Sequence, residues 1–426
     1  MVLSPTLAAA QARLAAVDAL AYARTRNHLD GAVTGLSPWI THGVLTLPQV
    51  LAGIAAGQPP GRPIDAQHKL VFELGWRAYF QHVWAHRGDA ILQSLHEGPL
   101  PDGAYARGVP PDVREARTGV PVIDQAVRTL YATGTLHNHA RLWLASYLVH
   151  LRKIHWRSGA EWLIGHLLDG DVASNHLSWQ WVAGTSSHKP YLFNADNVAS
   201  HAPPAWHSPG TVVDVPYELL DRIARLPGPV PTQPLPLGVD EPPLWSSPPA
   251  ALAFTAPDAA QVQGRDVWLV HPWALGTPPA DLPPDTVVLG LVVNEVHDLR
   301  PWSAARWQFV GQRMAELTPL RWQATARDWR QVLQGARSVQ TTGNPHLQRT
   351  LDTFATSRPA ETLFPEAERP CTSFSQWWTR VSRAPSPALL AALAPPLSGE
   401  PHDPLDHLHP HTSDRPGDRR PRWHRP

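Results

Sequence analysis

The sequence predicts a mainly α chain, with an all-helical first half, a small α/β domain behind it and a disordered tail. Three observations carry this. Residues 5–200 read as helical, with Leu7–Arg24 rich in Ala and Leu and apolar residues at helical spacing along Leu142–Ile154. From Arg265 onward, short β-branched runs alternate with helical patterns, as a parallel sheet with crossover helices requires. Prolines concentrate in two places, thirteen between His201 and Ala250 and a second group after Ala384. The domains expected are therefore 1–200 helical, 201–262 a Pro-rich linker, 263–383 α/β, and 384–426 a Pro/His/Arg-rich tail.

Each element has a local reason. Leu7–Arg24 has few breakers and reads as one helix. Leu142–Ile154 is an amphipathic run, Glu161–Leu168 continues the pattern, and Gly170 marks a turn. Val267–Val270 and Val287–Val293 suit buried strands. Ser303–Leu317 is a helix with Ser303 as its N-cap, and Ala336–Thr341 is a further strand.

The bulk numbers exclude several classes. The formal net charge is zero, so no global field draws the chain to nucleic acid, and any DNA contact needs a local basic face. A single cysteine, Cys371, excludes a disulfide framework, an all-cysteine iron–sulfur site and a Cys-rich zinc module. It fits a reducing cytoplasm. Met1–Ala10 lacks the charged start and apolar core of a signal peptide, and no run has the length of a membrane span. No metal site is expected, since His137 and His139 have no partner cluster. A monomer is expected. Most of the nineteen tryptophans are expected to fill cores.

The segment from Thr118 to Asn194 is the richest. It holds Leu-His-Asn-His-Ala-Arg at 136–141, Asp169-Gly170-Asp171, Asn175, Trp179-Gln180-Trp181 and Lys-Pro-Tyr-Leu-Phe-Asn at 189–194. Asn138 and Arg141 are three apart and Asp171 and Asn175 four apart, so each pair shares a helix face. Carboxylates, amides, an arginine and tryptophans in this arrangement suit a buried flavin with an electron path and an aromatic pocket for a nucleobase.

This order and spacing resemble the FAD-binding helical domain of the DNA photolyase and cryptochrome family. The matching positions are Thr118–Asp124, Arg128, His137, Asn138, Arg141, Asp169, Asp171, Asn175, Trp179 and Trp181. The resemblance implies an FAD cofactor held by Tyr22, Thr34, Gly35, Leu36, Ser37, Arg77, Asn138, Arg141, Asp169, Gly170, Asp171 and Asn175. Thr34 and Ser37 supply hydroxyls to the pyrophosphate, although Gly35 stands where the family has an arginine. Arg141 and Asp169 resemble the family's ion pair beside the flavin, and Asn175 matches the residue facing flavin N5. A neutral amide there does not deliver a proton as an acid does, which favours the reduced anion and so repair over signalling.

The stretch Val71–Phe80 resembles the family's lesion-pocket helix. Glu73, Trp76 and, arriving independently, Trp181 match its lesion-binding glutamate and two pocket tryptophans; Asn138 joins them as a catalytic position, where the (6-4)-type enzymes carry histidine. Flat aromatic faces suit a flipped pyrimidine dimer. Ala78 and Leu142 depart from the family pattern. DNA contact is expected from Arg26, Glu73, Trp76 and Trp181, with Arg77, Arg141, Arg152, Lys153, Arg157, His188 and Lys189 contributing to a basic rim. The basic stretch Arg415–Arg425 adds a second cationic segment.

Trp179 and Trp156 match the first two members of the family's electron-transfer chain. The third falls near Gly103, where no tryptophan stands; Tyr105, Trp143 and Trp162 are the substitutes. The segment after Val287 also resembles the family's antenna α/β domain, in permuted order, with the antenna chromophore left open. The resemblance thus implies light-dependent repair of pyrimidine dimers by a carbon–carbon lyase acting on damaged DNA. The alternative is a cryptochrome-like blue-light sensor without repair.

Overall fold

The computed structural model describes residues 3–59 and 62–394. The helical part opens with two short helices rather than one. Asp18 accepts a hydrogen bond from Ala21 N at 2.8 Å and caps Ala19–Thr25, which splits the expected Leu7–Arg24 helix after Ala15. Four longer helices then build the centre: α1 (Lys69–Arg87), α2 (Asn138–Ser146), α3 (Trp156–His166) and α4 (Val172–Ala183). The chain leaves α2 through a π-helical turn at Tyr147–Leu151. Lys153 follows with φ +54°, a conformation that a non-glycine residue keeps only when held. Its ammonium is the hold, donating to the Ile223 and Ala224 carbonyls at 2.7 and 3.1 Å. Nine of the twelve residues of α4 are buried, as expected of a helix apolar on most sides and enclosed by neighbours.

The second part is the expected α/β unit. Five parallel strands, β1 (Asp266–Val270), β2 (Val287–Val293), β3 (Arg321–Ala324), β4 (Ser338–Thr342) and β5 (Thr356–Arg358), lie in the order β3-β2-β1-β4-β5. The almost wholly apolar strands β1 and β2 are covered on both faces, as central strands of a parallel sheet must be. Helix α5 (Ala304–Leu317) starts at Ser303, whose hydroxyl accepts from Arg306 N at 3.3 Å. The strand order reverses between β1 and β4. In open α/β sheets the crevice beyond the strand ends at such a reversal is where ligands bind.

The two parts are not loosely tethered. One apolar core includes Trp39, Leu51 and Leu177 from the helical part and Leu269, Trp302 and Val310 from the α/β unit. Arg300 reaches Glu161 of α3 at 3.2 Å. A second core, around Trp143, Leu148 and Phe193, lies within the helical part.

The Pro-rich segment 201–262 is a strap rather than a free linker. Prolines lack the N–H, so the bonds come from the residues between them: Val230 N to Leu151 O at 2.8 Å, Leu235 N to Arg117 O and Val239 N to Glu115 O, both 2.7 Å. Glu241 anchors its end on Arg114 (2.6 Å) and Trp162 Nε1 (2.8 Å). The expected tail also begins too early. Helix α6 (Phe374–Arg383) packs on α1, and α7 (Pro387–Leu393) buries Leu389 and Ala392 within the stretch assigned to disorder. The rest of the tail, with Arg415–Arg425, lies outside the described residues. No helix among the described residues is long and apolar enough to cross a membrane.

Candidate functional site

Helices α1, α2, α3 and α4 converge on a cavity of about 200 Å³. Its walls include Glu73, Trp76 and Arg77 from α1, Asn138, Arg141 and Leu142 from α2, and Asn175 and Trp179 from α4, with Asp169 and Asp171 between α3 and α4. Three segments separated by dozens of residues thus meet at one place.

The carboxylates organise it. Arg141 Nη2 lies 2.9 and 2.8 Å from the two Asp169 oxygens, and its Nε donates to Leu136 O at 2.8 Å. Burial would raise the Asp169 pKa, but Arg141, the Ser37 side chain and Arg77 outweigh it and hold the group below the ordinary carboxylate range. Asp171 N-caps α4, accepting from Ser174 N at 2.7 Å, and receives Gln81 Nε2 at 3.1 and 2.9 Å. Burial raises its pKa too, and Arg77 leads the groups that bring it down. Both stay ionised at neutral pH. Asn175 Nδ2 donates to Ala160 O at 2.9 Å, so the amide oxygen is the atom left for a ligand. Two buried anions, two arginines and two amides around one space match the needs of an isoalloxazine edge, which offers both donors and acceptors; the donor set fits FAD.

Other expected contacts lie outside the lining of this cavity, with the Ser37 side chain reaching Asp169. Tyr22, Thr34, Gly35 and Ser37 are not among the cavity-lining residues, and Leu36 is fully buried as a packing residue. Their loop is held by Arg13, which donates to Thr34 O at 2.6 Å and Val33 O at 2.5 Å. Gly35 has φ +63°, and a Cβ there would stand 3.0 Å from Arg13 Nε, so glycine serves this turn for two reasons. Gly170 faces away from the cavity toward Arg306, with its carbonyl taken by that side chain at 2.7 Å.

At the lesion end, Trp76 and Glu73 line the cavity as expected. Glu73 is half exposed and pairs with Arg26 at 3.3 Å, an exposed pair of small energetic weight. One face of Trp76 is covered by Phe374 of α6, stacked at 4.1 Å and 10°. Trp181 is not in the lining; its ring lies against Tyr191 at 5.5 Å. The basic rim shrinks. Arg152 is bound to Asp112 at 2.7 and 3.0 Å, and Lys153 is buried at 2% exposure, so neither is open to phosphate.

The tryptophans expected to carry electrons lie in neighbouring helices α3 and α4. Trp179 and Trp156 are both buried, and the Trp179 ring packs on Gly159, one turn along α3 from Trp156. A Cβ at position 159 would approach that ring to 2.3 Å. Gly159→Ala should therefore push the indole aside and cost about 1–3 kcal/mol; unchanged thermal unfolding and unchanged near-UV dichroism would contradict this packing. Trp156 neighbours His155 at 5.6 Å, and His155 neighbours Tyr105 at 6.4 Å. Of the three substitutes, Tyr105 alone lies on this line at partial exposure. Trp143 is sealed in the core, and Trp162 is tied to Glu241.

A second, larger cavity of about 830 Å³ lies between the parts. Loops after β1 and β4 supply Trp273, Asn344 and His346, helix α1 supplies Trp84, and Arg300 and Arg306 add positive charge.

Sequence reasoning missed Gln81, Arg13, Arg306 and His346. Gln81 had a signal, since it stands four residues after Arg77 on the same face of α1. The other three reach their partners from distant segments.

A flavin-binding helical domain is the class that this site and fold define. Residues 70–203 match the model of the FAD binding domain of DNA photolyase. The chain is 32% identical over 184 residues to a deoxyribodipyrimidine photo-lyase of Synechococcus sp., covering 41% of this chain and 36% of that protein. It is also 32% identical over 180 residues to a cryptochrome DASH of Gloeobacter violaceus, covering 39% and 34%. A solved cryptochrome from Synechocystis sp. PCC6803 is 29% identical, with a TM-score of 0.41 over 46% of this chain and 43% of that one. The chain thus spans about a third of the length of these two curated relatives. Residues 70–203 are thus similar to the FAD-binding domain of the photolyase/cryptochrome family.

Proposed function

We propose that the protein repairs pyrimidine dimers in DNA in a light-dependent reaction. One observation supports this above the others. The acid and ring expected at a lesion, Glu73 and Trp76, line the same small cavity as the flavin-side groups Asn138, Arg141, Asp169, Asp171 and Asn175. Donor and acceptor would therefore sit in contact, with no further element between them.

FAD held there in its reduced form would supply, under blue or near-UV light, an electron that opens the two carbon–carbon bonds of the cyclobutane ring and then returns to the flavin. The chain's own residues do the rest. Arg141 places a positive charge at the site, and Asp169 and Asp171 fix the hydrogen-bonding pattern. Asn175 offers an amide that carries no acidic proton. Trp76 stacks on the flipped base through its open face, and Glu73 bonds its polar edge. Arg26, beside Glu73, is the cation best placed for a flanking phosphate.

The test is to purify the protein in dim light, record its flavin spectrum, and assay repair of dimer-containing DNA under illumination. A yellow protein that repairs supports the proposal; a yellow protein that leaves dimers intact overturns it. That second outcome would support a photosensor, a reading favoured by the cover Phe374 places on Trp76 and by the withdrawal of Trp181 onto Tyr191. Trp76→Ala should weaken binding of a dimer-containing oligonucleotide roughly tenfold or more, the scale of one base–aromatic stack. Trp181→Ala should weaken it less. A fluorescence-anisotropy titration ranks the two, and the reverse order would mean that Trp181 turns inward on binding.

A further inference from the structure

The loop Leu168–Val172 carries both carboxylates of the flavin site, and side chains of the α/β unit grip it from behind. Arg306 of α5 donates to Gly170 O at 2.7 Å and to Ile164 O at 3.3 Å, so one guanidinium ties the loop to the end of α3. The arginine is 1% exposed, lies over the Trp302 ring at 3.9 Å, and directs its guanidinium Nη donors to backbone carbonyls. Gly170 has no room for a side chain because this arginine passes it; a Cβ would stand 2.5 Å from Nη1.

The second grip is His346, from the loop after β4. Its Nε2 accepts the Val172 N–H at 3.2 Å, satisfying an otherwise free donor in the first turn of α4. The acceptor role fixes the tautomer. Nδ1 then carries the hydrogen and donates to Asn344 Oδ1 at 2.8 Å. Burial lowers the pKa of this ring to about 3, so the imidazole is neutral and its position 3.7 Å from Asp171 is not a charge pair. Asp171 and His346 together cap the helix that presents Asn175 and Trp179, one from within the helical domain and one from outside it.

We infer that Arg306 and His346 are positioning residues of the flavin site, so that the α/β unit sets the geometry and field of a cofactor it does not touch. This rests on the flavin reading. The argument is one of rigidity and charge. A loop of five residues holding two buried anions needs its backbone groups satisfied, or the anions move. Arg306 also adds a buried positive charge behind Asp169 and Asp171, which favours a negatively charged reduced ligand on their other side. Both side chains line the 830 Å³ cavity as well, so one wall serves both sites.

The test uses the full chain with three variants. In protein stripped of FAD, His346→Ala should speed amide hydrogen exchange at Val172–Asn175 about tenfold, while His346→Gln, which keeps an acceptor, should restore protection. In FAD-loaded protein, Arg306→Met should weaken the preference for the reduced form roughly tenfold. For a two-electron couple that is a fall in midpoint potential of about 30 mV. Unchanged exchange in His346→Ala, or equal acceleration across the whole helical part in both His346 variants, would overturn the inference. So would an unchanged potential in Arg306→Met. The exchange measurement needs no cofactor. If the wild type failed to bind FAD, the flavin reading would fall while the exchange data still decided whether the grip exists.

Discussion

Arg141→Met should destabilise the protein by about 3 kcal/mol at neutral pH and strongly weaken FAD binding. The reason is asymmetry. An intact buried pair contributes little net stability, but removing one partner strands the other charge, at a cost of roughly 3–5 kcal/mol. The lower end applies because the Arg141 side chain is one-quarter exposed and Asp169 keeps the Ser37 side chain and Arg77 nearby. The pH dependence identifies the cause. In the native protein Asp169 sits below its ordinary pKa. Its contribution is therefore complete above the unfolded value of about 3.9 and fades as the pH falls through the native one. In the variant, burial dominates and pushes the group upward. The difference between variant and wild type should then be greatest near neutrality, narrow toward about pH 4 as the variant's penalty disappears, and close only below that, as the pH falls through the lowered native pKa of Asp169. Urea unfolding at several pH values measures this. A pH-independent difference would mean that Arg141 acts by packing alone.

Trp179→Phe should lower light-driven reduction of the bound flavin roughly tenfold or more, equivalent to about 1.4 kcal/mol of barrier, while chemical reduction in the dark continues. Among the described residues, Trp179 is the only tryptophan besides Trp76 that lines the 200 Å³ cavity, and it leads through Gly159 toward Trp156. Phenylalanine keeps an apolar ring but is far harder to oxidise. Illumination with an external electron donor, followed by flavin absorbance, gives the rate. Wild-type photoreduction in this variant would show that the electrons enter another way.

How much was legible from the sequence follows from how far each feature reaches along the chain. Strands β1 and β2 were readable because an apolar β-branched run declares itself. Ser303 was readable as a cap because capping spans three residues. The cluster of Asn138, Arg141, Asp169, Asp171, Asn175 and Trp179 was readable from spacing together with family resemblance, and the cavity does assemble them. Interactions beyond one element were not. Asp18 splits a helix that composition alone would continue. The strap over 201–262 looks like a linker because proline content says nothing about where the intervening N–H groups bond. Trp181 was assigned to a pocket by its motif, but Tyr191 offers its ring a different surface.

Motif order and spacing were enough to show the resemblance to a photolyase-type FAD-binding domain, and apolar β-branched runs were enough to show a parallel α/β unit, since each such pattern lies within single segments of the chain. It is folding that brings the crevice of the α/β unit against α1 and the Asp169–Asp171 loop. That contact joins Gly170 to Arg306 and Val172 to His346, more than 130 residues apart in each case. No local pattern encodes such pairings. They arise when two apolar faces merge into one core, and the polar backbone enclosed there takes its partners from whichever chain segment the packing brings near.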